Sequence, residues 1–173
     1  MKSQLLYACF LSLATLCSCK NNPASHLQTR QNPNYDYKID APQGWSMYDT
    51  TIQNLKCRFI IGPDSLDSDK PRVNIVIASM GGSEIDDFTR QNINYLKETM
   101  QETVLLERGA INISSIDARW VTYTREQNGV VRDMINYIIP FRGFAYMVTC
   151  GTNKGSIKKY RSIFDQIARS FRP

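Results

Sequence analysis

The strongest constraint on how this chain can fold is the pair Asn128-Gly129, which lies between two strand-like segments. Both residue types tolerate positive φ, which the two-residue turns joining antiparallel strands require. The flanking residues 118–125 and 130–139 are the predicted strands. The sequence therefore predicts a β-hairpin here, and a sheet built around it.

Further strand-like segments precede and follow this hairpin. Residues 72–79, for example, place Val73, Ile75 and Ile77 on one face, as a two-residue period requires. The remaining predicted strands cover residues 35–40, 46–49, 55–61, 104–107, 110–113 and 144–150.

Two segments have the period of a helix instead. The first is expected to begin with Ser83 as its capping residue and to end near Gln101. The second begins near Ser156 and closes the chain. Their apolar stripes comprise Ile85, Phe88, Ile93, Leu96 and Met100 in the first, and Ile157, Tyr160, Ile163, Phe164, Ile167 and Phe171 in the second. The order of strands, helix, strand meander and helix predicts an α+β fold, a mainly antiparallel sheet covered by helices.

The first residues read as an export signal. A positive start at Met1-Lys2 precedes an apolar run over residues 5–16, shorter than the roughly 20 residues that span a bilayer. The run ends in Leu16-Cys17-Ser18-Cys19, which resembles the lipobox of bacterial lipoproteins. That resemblance implies cleavage before Cys19 and acylation of Cys19. The alternatives are an ordinary secretory signal and an uncleaved membrane anchor.

These features divide the chain into three parts. Residues 1–18 are the predicted signal peptide, residues 19–34 the lipidated cysteine with a polar, proline-interrupted tether, and residues 35–173 one folded domain. Such an anchor would hold the domain at the bacterial cell envelope, with the membrane itself as its first partner. No aspartate follows Cys19, and by analogy with enterobacterial sorting this favours the outer membrane.

Several short motifs in residues 35–172 together resemble the PsbP-like family. They are Tyr37-Lys38-Ile39, Pro42-x-Gly44-Trp45, Asp86-Asp87-Phe88, Phe144-Ala145-Tyr146, and the closing Tyr160, Phe164, Ile167 and Ser170-Phe171. The family includes an extrinsic protein of photosystem II, bacterial relatives and a Ran-binding nuclear import factor. The resemblance implies an α/β/α sandwich that serves as a binding or assembly module, without shared catalytic residues.

Candidates for catalysis and metal binding are few. The only histidine is His26, ahead of the domain, which excludes Ser-His and Cys-His catalysis within it. No cofactor or metal is expected, because no CxxC pair occurs and the aspartates of residues 64–69 lack EF-hand spacing. An enzyme would need paired carboxylates, for which the candidates are Glu107, Asp117, Glu126 and Asp133.

The domain contains two cysteines, Cys57 and Cys150, each near the end of a predicted strand. After export both would meet an oxidising compartment, where a disulfide between them could form. Two separate buried thiols are the alternative, and the sequence does not decide between them.

Charge and aromatic residues suggest where a partner would bind. The formal net charge is +5, and positive residues concentrate in the last twenty positions, as Lys154, Lys158, Lys159, Arg161, Arg169 and Arg172. A solvated helix face is the favoured interpretation, and without a nucleic-acid-binding motif no nucleic-acid partner is expected.

Tyr123, Tyr137, Tyr146 and Trp120 are interpreted as core residues, or otherwise as an exposed binding surface.

The predicted function is therefore a membrane-tethered, non-enzymatic binding or assembly module with an unidentified protein or small-molecule ligand. Two alternatives stay open, an envelope hydrolase or other enzyme using paired carboxylates, and a structural spacer subunit of an envelope complex.

Overall fold

A computed structural model describes residues 37–52, 55–63, 70–100, 103–127 and 129–173. The predicted signal peptide and tether, including Cys19, and the aspartates of residues 64–69 lie outside these ranges. The strands are β1 (Ser46–Ile52), β2 (Leu55–Ile61), β3 (Arg72–Ser79), β4 (Val104–Ile113), β5 (Ile116–Gln127), β6 (Val130–Phe141) and β7 (Phe144–Asn153). The helices are α1 (Ile85–Thr99) and α2 (Ile157–Arg169).

All seven strands join one antiparallel sheet in the order β1-β2-β3-β7-β6-β5-β4. The predicted fold class, an α+β protein with a mainly antiparallel sheet and covering helices, is confirmed. The hairpin prediction is also confirmed, because β5 and β6 pair directly and place Trp120 opposite Tyr137. Gly129 supplies the left-handed backbone of the turn with a φ of +75°.

Three local predictions were wrong. Residues 104–113 form one strand interrupted by a bulge between Leu105 and Glu107, because two residues there oppose one on β5. Around Lys38 the chain makes only an isolated bridge to Arg172 where a full strand was expected. Helix α1 begins at Ile85, with Glu84 as its N-cap and no side-chain capping bond, so Ser83 does not cap it.

The two helices cover opposite faces of the sheet, as strand alternation shows on β7. Tyr146 and Val148 pack in a cluster with Phe164 of α2, while Met147 packs with Phe88 of α1. Successive side chains of a strand point to opposite faces. The molecule is therefore an α/β/α sandwich with two cores.

The core beneath α2 is the larger and is rich in aromatic rings. Tyr37 lies with its ring 5.6 Å from Phe171 and 5.5 Å from Tyr146, and all three rings are buried. The backbone N–H of Lys38 donates to the carbonyl of Arg172 at 2.7 Å, and the return bond measures 2.9 Å. The first described residues are thus tied to the end of the chain, just after α2.

The core beneath α1 contains more polar groups. Asn74, Asn136 and Thr149 lie in register across three central strands, all at least 95% buried. Thr149 Oγ1 donates to Asn136 Oδ1 at 3.2 Å, and Asn92 of α1 reaches only the Met147 sulfur at 3.7 Å. The buried contacts that hold α1 to the sheet are therefore apolar packing and weak polar contacts.

Within the ranges that the structure describes, neither helix is long and apolar enough to cross a membrane.

Two buried tyrosines of the sheet allow a matched test. The Tyr137 hydroxyl donates to the carboxylate of Asp165, whereas the Tyr123 hydroxyl meets no hydrogen-bond partner among the described residues. Burial raises the pKa of Tyr123 to about 12, so the group stays a neutral hydroxyl. The substitution Tyr137→Phe should lower the free energy of unfolding by about 1–3 kcal/mol, because a hydrogen bond to a charged group is lost.

Tyr123→Phe should instead raise the free energy of unfolding by about 1 kcal/mol, because it removes a buried polar group without a partner. Urea unfolding measures both variants through the transition midpoint at constant slope. Equal losses of stability in the two variants would contradict this account of the two hydroxyls.

Candidate functional site

Both cysteines of the domain are free, and they lie on opposite faces of the sheet. Cys57 packs in the cluster beneath α1 with Phe59, while Cys150 packs beneath α2 with Val148. The sheet lies between the two sulfurs. The structure therefore has two separate buried thiols, which was the alternative to a disulfide. Burial raises the pKa of Cys150 well above its ordinary value, which keeps it from acting as a thiolate nucleophile.

The purified native domain is accordingly expected to carry two free thiols, at Cys57 and Cys150, that resist iodoacetamide until urea is added. Both are at least 99% buried, and alkylation needs an exposed thiolate. Mass spectrometry without reductant measures the number of alkylated thiols before and after unfolding. A mass two hydrogens lower, with no alkylation after unfolding, would show that a disulfide forms.

The four carboxylates considered for catalysis have different surroundings. Buried Asp133 accepts backbone N–H bonds from Gly155 at 2.8 Å and Ile157 at 3.4 Å, so it caps the start of α2. Asp117 is exposed and pairs with Arg119 at 2.7 Å. Glu107 is exposed on the edge strand, while Glu126 lies on β5 and is partly buried.

Arg119 was missed by sequence reasoning, and it clamps α1 to the sheet. Its Nε donates to Asp86 at 2.6 Å, in the first turn of α1, while its Nη1 binds Asp117. The hydrogen bond from Arg119 lowers the pKa of Asp86. This contact joins residues 33 positions apart, so helix spacing alone does not predict it.

The three strand tyrosines are buried, so the core interpretation is confirmed for them: Tyr123 and Tyr137 are 0% exposed and Tyr146 is 7% exposed. Trp120 is only partly buried, but it packs against the core beneath α2. Its ring lies across Gly109 of β4, whose missing side chain makes room for it: a Cβ there would stand 2.8 Å from the indole.

A shallow, open depression of about 750 Å³ runs along the outer side of α2, and we refer to it as the α2 cleft. Its lining comprises Asp40, Lys158, Arg161, Ser162, Asp165, Gln166, Arg169, Ser170 and Arg172. Four of the six cations that concentrate at the end of the sequence therefore line a single concave surface. Against these four stand two carboxylates, which leaves an excess of two positive charges.

One part of the α2 cleft is built around Arg161. Its guanidinium carbon lies 4.3 Å from the centre of the Trp120 ring, a cation–π contact. Its Nε binds Asp165 at 3.1 Å, one helical turn further along, and Asp165 also accepts the hydroxyl of Tyr137. Arg161 is thus fixed by an aromatic ring and a carboxylate that is itself anchored to the sheet.

The other part of the α2 cleft lies where the two ends of the domain meet. Arg172 pairs with Asp40, whose backbone N–H donates to Ser170 Oγ at 2.9 Å. Arg169 donates to the backbone carbonyl of Asn112 at 2.9 Å. The side-chain ammonium group of Lys158 has no hydrogen-bond or ion-pair partner among the described residues.

The sequence predicted only part of this site. The spacing of Arg161 and Asp165 is that of an intrahelical ion pair, so this contact was open to prediction. The pairing of Asp40 with Arg172 joins residues 132 positions apart, and only the folded chain brings them together. In the described ranges, no three His, Cys, Asp or Glu residues are grouped closely enough to hold a metal ion.

No protein-family model matches the sequence, and no curated protein matches it. Solved structures do match. PA94, a protein of unknown function from Pseudomonas aeruginosa, has a TM-score of 0.65 at 17% identity, covering 86% of this chain and 98% of its own. The cyanobacterial PsbP of Synechocystis, CyanoP, has a TM-score of 0.61 at 17% identity, covering 91% and 98%.

LpqN of Mycobacterium tuberculosis, described as involved in cell envelope biogenesis, has a TM-score of 0.64 at 12% identity, covering 85% of this chain and 91% of its own. At these identities the likeness concerns the fold alone. The chain has a PsbP-like fold over nearly its whole described length.

Proposed function

We propose that this protein is a lipid-anchored, non-enzymatic binding module of a bacterial cell envelope, and that the α2 cleft is its ligand site. The observation that carries the proposal is the α2 cleft itself, where four cations outnumber two carboxylates along one concave surface. The anchor is Cys19, placed where the apolar export signal ends. The proposal also places the chain in the PsbP-like family and its anchor in the outer membrane.

The fold supports an envelope location without fixing it. LpqN shares the fold and is described as involved in cell envelope biogenesis, and the lipobox-like Leu16-Cys17-Ser18-Cys19 suggests the same compartment independently. Fold alone does not determine function, so the proposal rests on the signal and the cleft together.

Binding suits the α2 cleft better than catalysis does. Both of its carboxylates are engaged by arginines, Asp165 by Arg161 and Asp40 by Arg172. A general acid or base needs a carboxylate that can exchange its proton with a substrate. The other two cations of the cleft, Lys158 and Arg169, have no carboxylate partner among the described residues and can form charge-assisted hydrogen bonds to an anion.

A hydrolytic enzyme is the second candidate, and the observation that favours it is that Asp40 and Asp165 line the same cleft. If the cleft were catalytic, the substitution Asp165→Asn would abolish hydrolysis of a glycoside or ester panel by the wild-type protein. No turnover by the wild-type protein would remove this candidate.

The anchor is tested by metabolic labelling with a radioactive fatty acid in the native host. Wild-type protein should be labelled and should enter the detergent phase on phase separation, and Cys19→Ala should do neither. Cys17→Ala is the matched control and should stay labelled, because bulky Leu16 before Cys17 makes Cys17 a poor acceptor. An unlabelled wild-type protein would remove the anchor from the proposal.

The ligand site is tested by retaining the anchor and reversing charge in the α2 cleft. Full-length protein carrying Lys158→Glu and Arg169→Glu should lose the ligand that wild-type protein retains after gentle membrane extraction. The control, Arg90→Glu with Lys97→Glu, makes the same change of charge on the exposed side of α1, across the sheet. Unfolding midpoints of both variants check that each is folded.

Equal retention by the cleft variant and its control would remove the α2 cleft as the ligand site. A partner held in fixed stoichiometry by all variants would instead support the third candidate, a spacer subunit of an envelope complex.

A further inference from the structure

We infer that the α2 cleft binds the phosphate head groups of the membrane that carries the anchor, so that the tethered domain docks with α2 facing its own bilayer. This inference rests on the proposed function and identifies the ligand of the same site. Three observations support it: the point at which the chain enters the domain, the cations of the cleft that have no carboxylate partner, and the residues that line the cleft.

The entry point of the chain lies at the rim of the α2 cleft. Lys38 is bonded through its backbone to Arg172 in both directions, and Asp40 is itself a lining residue. A tether joined to the domain just before Tyr37 therefore leaves from beside the cleft. Seventeen residues, 20–36, separate Cys19 from Tyr37, so this connection spans at most about 60 Å.

The connecting segment has to extend least when this face is the one nearest the bilayer. Effective concentrations of groups joined by short flexible linkers reach the millimolar range. Even if the α2 cleft binds a head group weakly, the bound state would then be populated for much of the time. The α1 face does not have this advantage, because it lies across the sheet from the entry point.

The uncompensated positive charge lies at both ends of α2. Lys158 meets no carboxylate in the described part of the chain, and Arg169 is bonded only to the neutral carbonyl of Asn112. The two residues are eleven positions apart, about 16 Å along the helix. Anionic head groups repeat across a membrane surface, so two separated cations can each meet a phosphate.

The cleft lining suits head groups rather than acyl chains. All nine lining residues carry a charged or polar group, and these groups would meet the head groups. The large exposed apolar side chains of the described residues lie elsewhere, at Val104, Leu106, Val130 and Phe144. Trp120, stacked on Arg161, is an amphipathic ring of the kind enriched at membrane–water interfaces.

The test uses the mature chain, residues 19–173, with Cys19→Ser, so that no acyl chain contributes to binding. Sedimentation with vesicles measures its affinity for phosphatidylcholine alone and for mixtures with phosphatidylglycerol. We expect binding only to the mixtures. Lys158→Ala should weaken it about fivefold and the double variant Lys158→Ala/Arg169→Ala about 25-fold, while Lys97→Ala on α1 should leave it within about twofold.

Competition by inorganic phosphate at constant ionic strength identifies the source of the phosphate. If phosphate displaces the protein from the vesicles and changes its tryptophan emission without vesicles, the ligand is free phosphate, and the inference is overturned. It is also overturned if Lys158→Ala and Lys97→Ala weaken vesicle binding equally, or if the mixtures are not bound at all.

These failures are distinguishable from failure of the proposed function. If the protein fails to bind anionic vesicles and yet loses a captured protein partner when the charges of Lys158 and Arg169 are reversed, the α2 cleft is still a ligand site, but its ligand is a protein. A protein that binds the vesicles but takes up no fatty acid retains the head-group site and loses the anchor.

Discussion

The whole structure depends on the insertion of β7 between β3 and β6. Strands β1 to β3 form one antiparallel unit and β4 to β6 form another, and the seven-stranded order joins them only through β7. β7 pairs with β3 over eight residues, from Arg72 opposite Gly151 to Ser79 opposite Phe144. Both cores are therefore completed only when the last strand is in place, and helix α2 follows it directly.

This constraint explains the composition of β7. Residues 145–150 are all buried, on both faces of the strand, and they belong alternately to the two cores. A central strand covered on both sides carries a nearly continuous apolar run. The pairing partners on β3 and β7 are some seventy residues apart, so bringing these two strands together costs loop-closure entropy.

Much of this fold was predictable from local sequence. The bounds of β2 and β3 follow from the alternation of apolar residues in their sequences. The β5–β6 hairpin could be predicted from Gly129 in its turn. The bulge in β4 was not predicted, because a single extra residue leaves the apolar pattern almost unchanged. Nor was the strand order, because alternation indicates which side a residue faces and not which strand lies beside it.

The site was less predictable than the fold. The cations of the closing segment are evident in the sequence, but their arrangement in one cleft depends on the end of the chain meeting Asp40. Trp120 packs against the core beneath α2, as the sequence indicated, but its contact with Arg161 was not predicted. Neither arrangement could be predicted, because contacts between distant segments leave no periodic trace.

Gly109 shows how far the geometry of the cleft reaches into the edge of the sheet. The indole of Trp120 occupies the space where a side chain at position 109 would begin, and Arg161 rests on that indole. Even one added methyl group on β4 would have to push the ring outward and re-aim the guanidinium. Gly109 has no atom in the α2 cleft, yet it limits which sequences can preserve the cleft. Variation on the edge strand β4 is therefore coupled to a surface on α2.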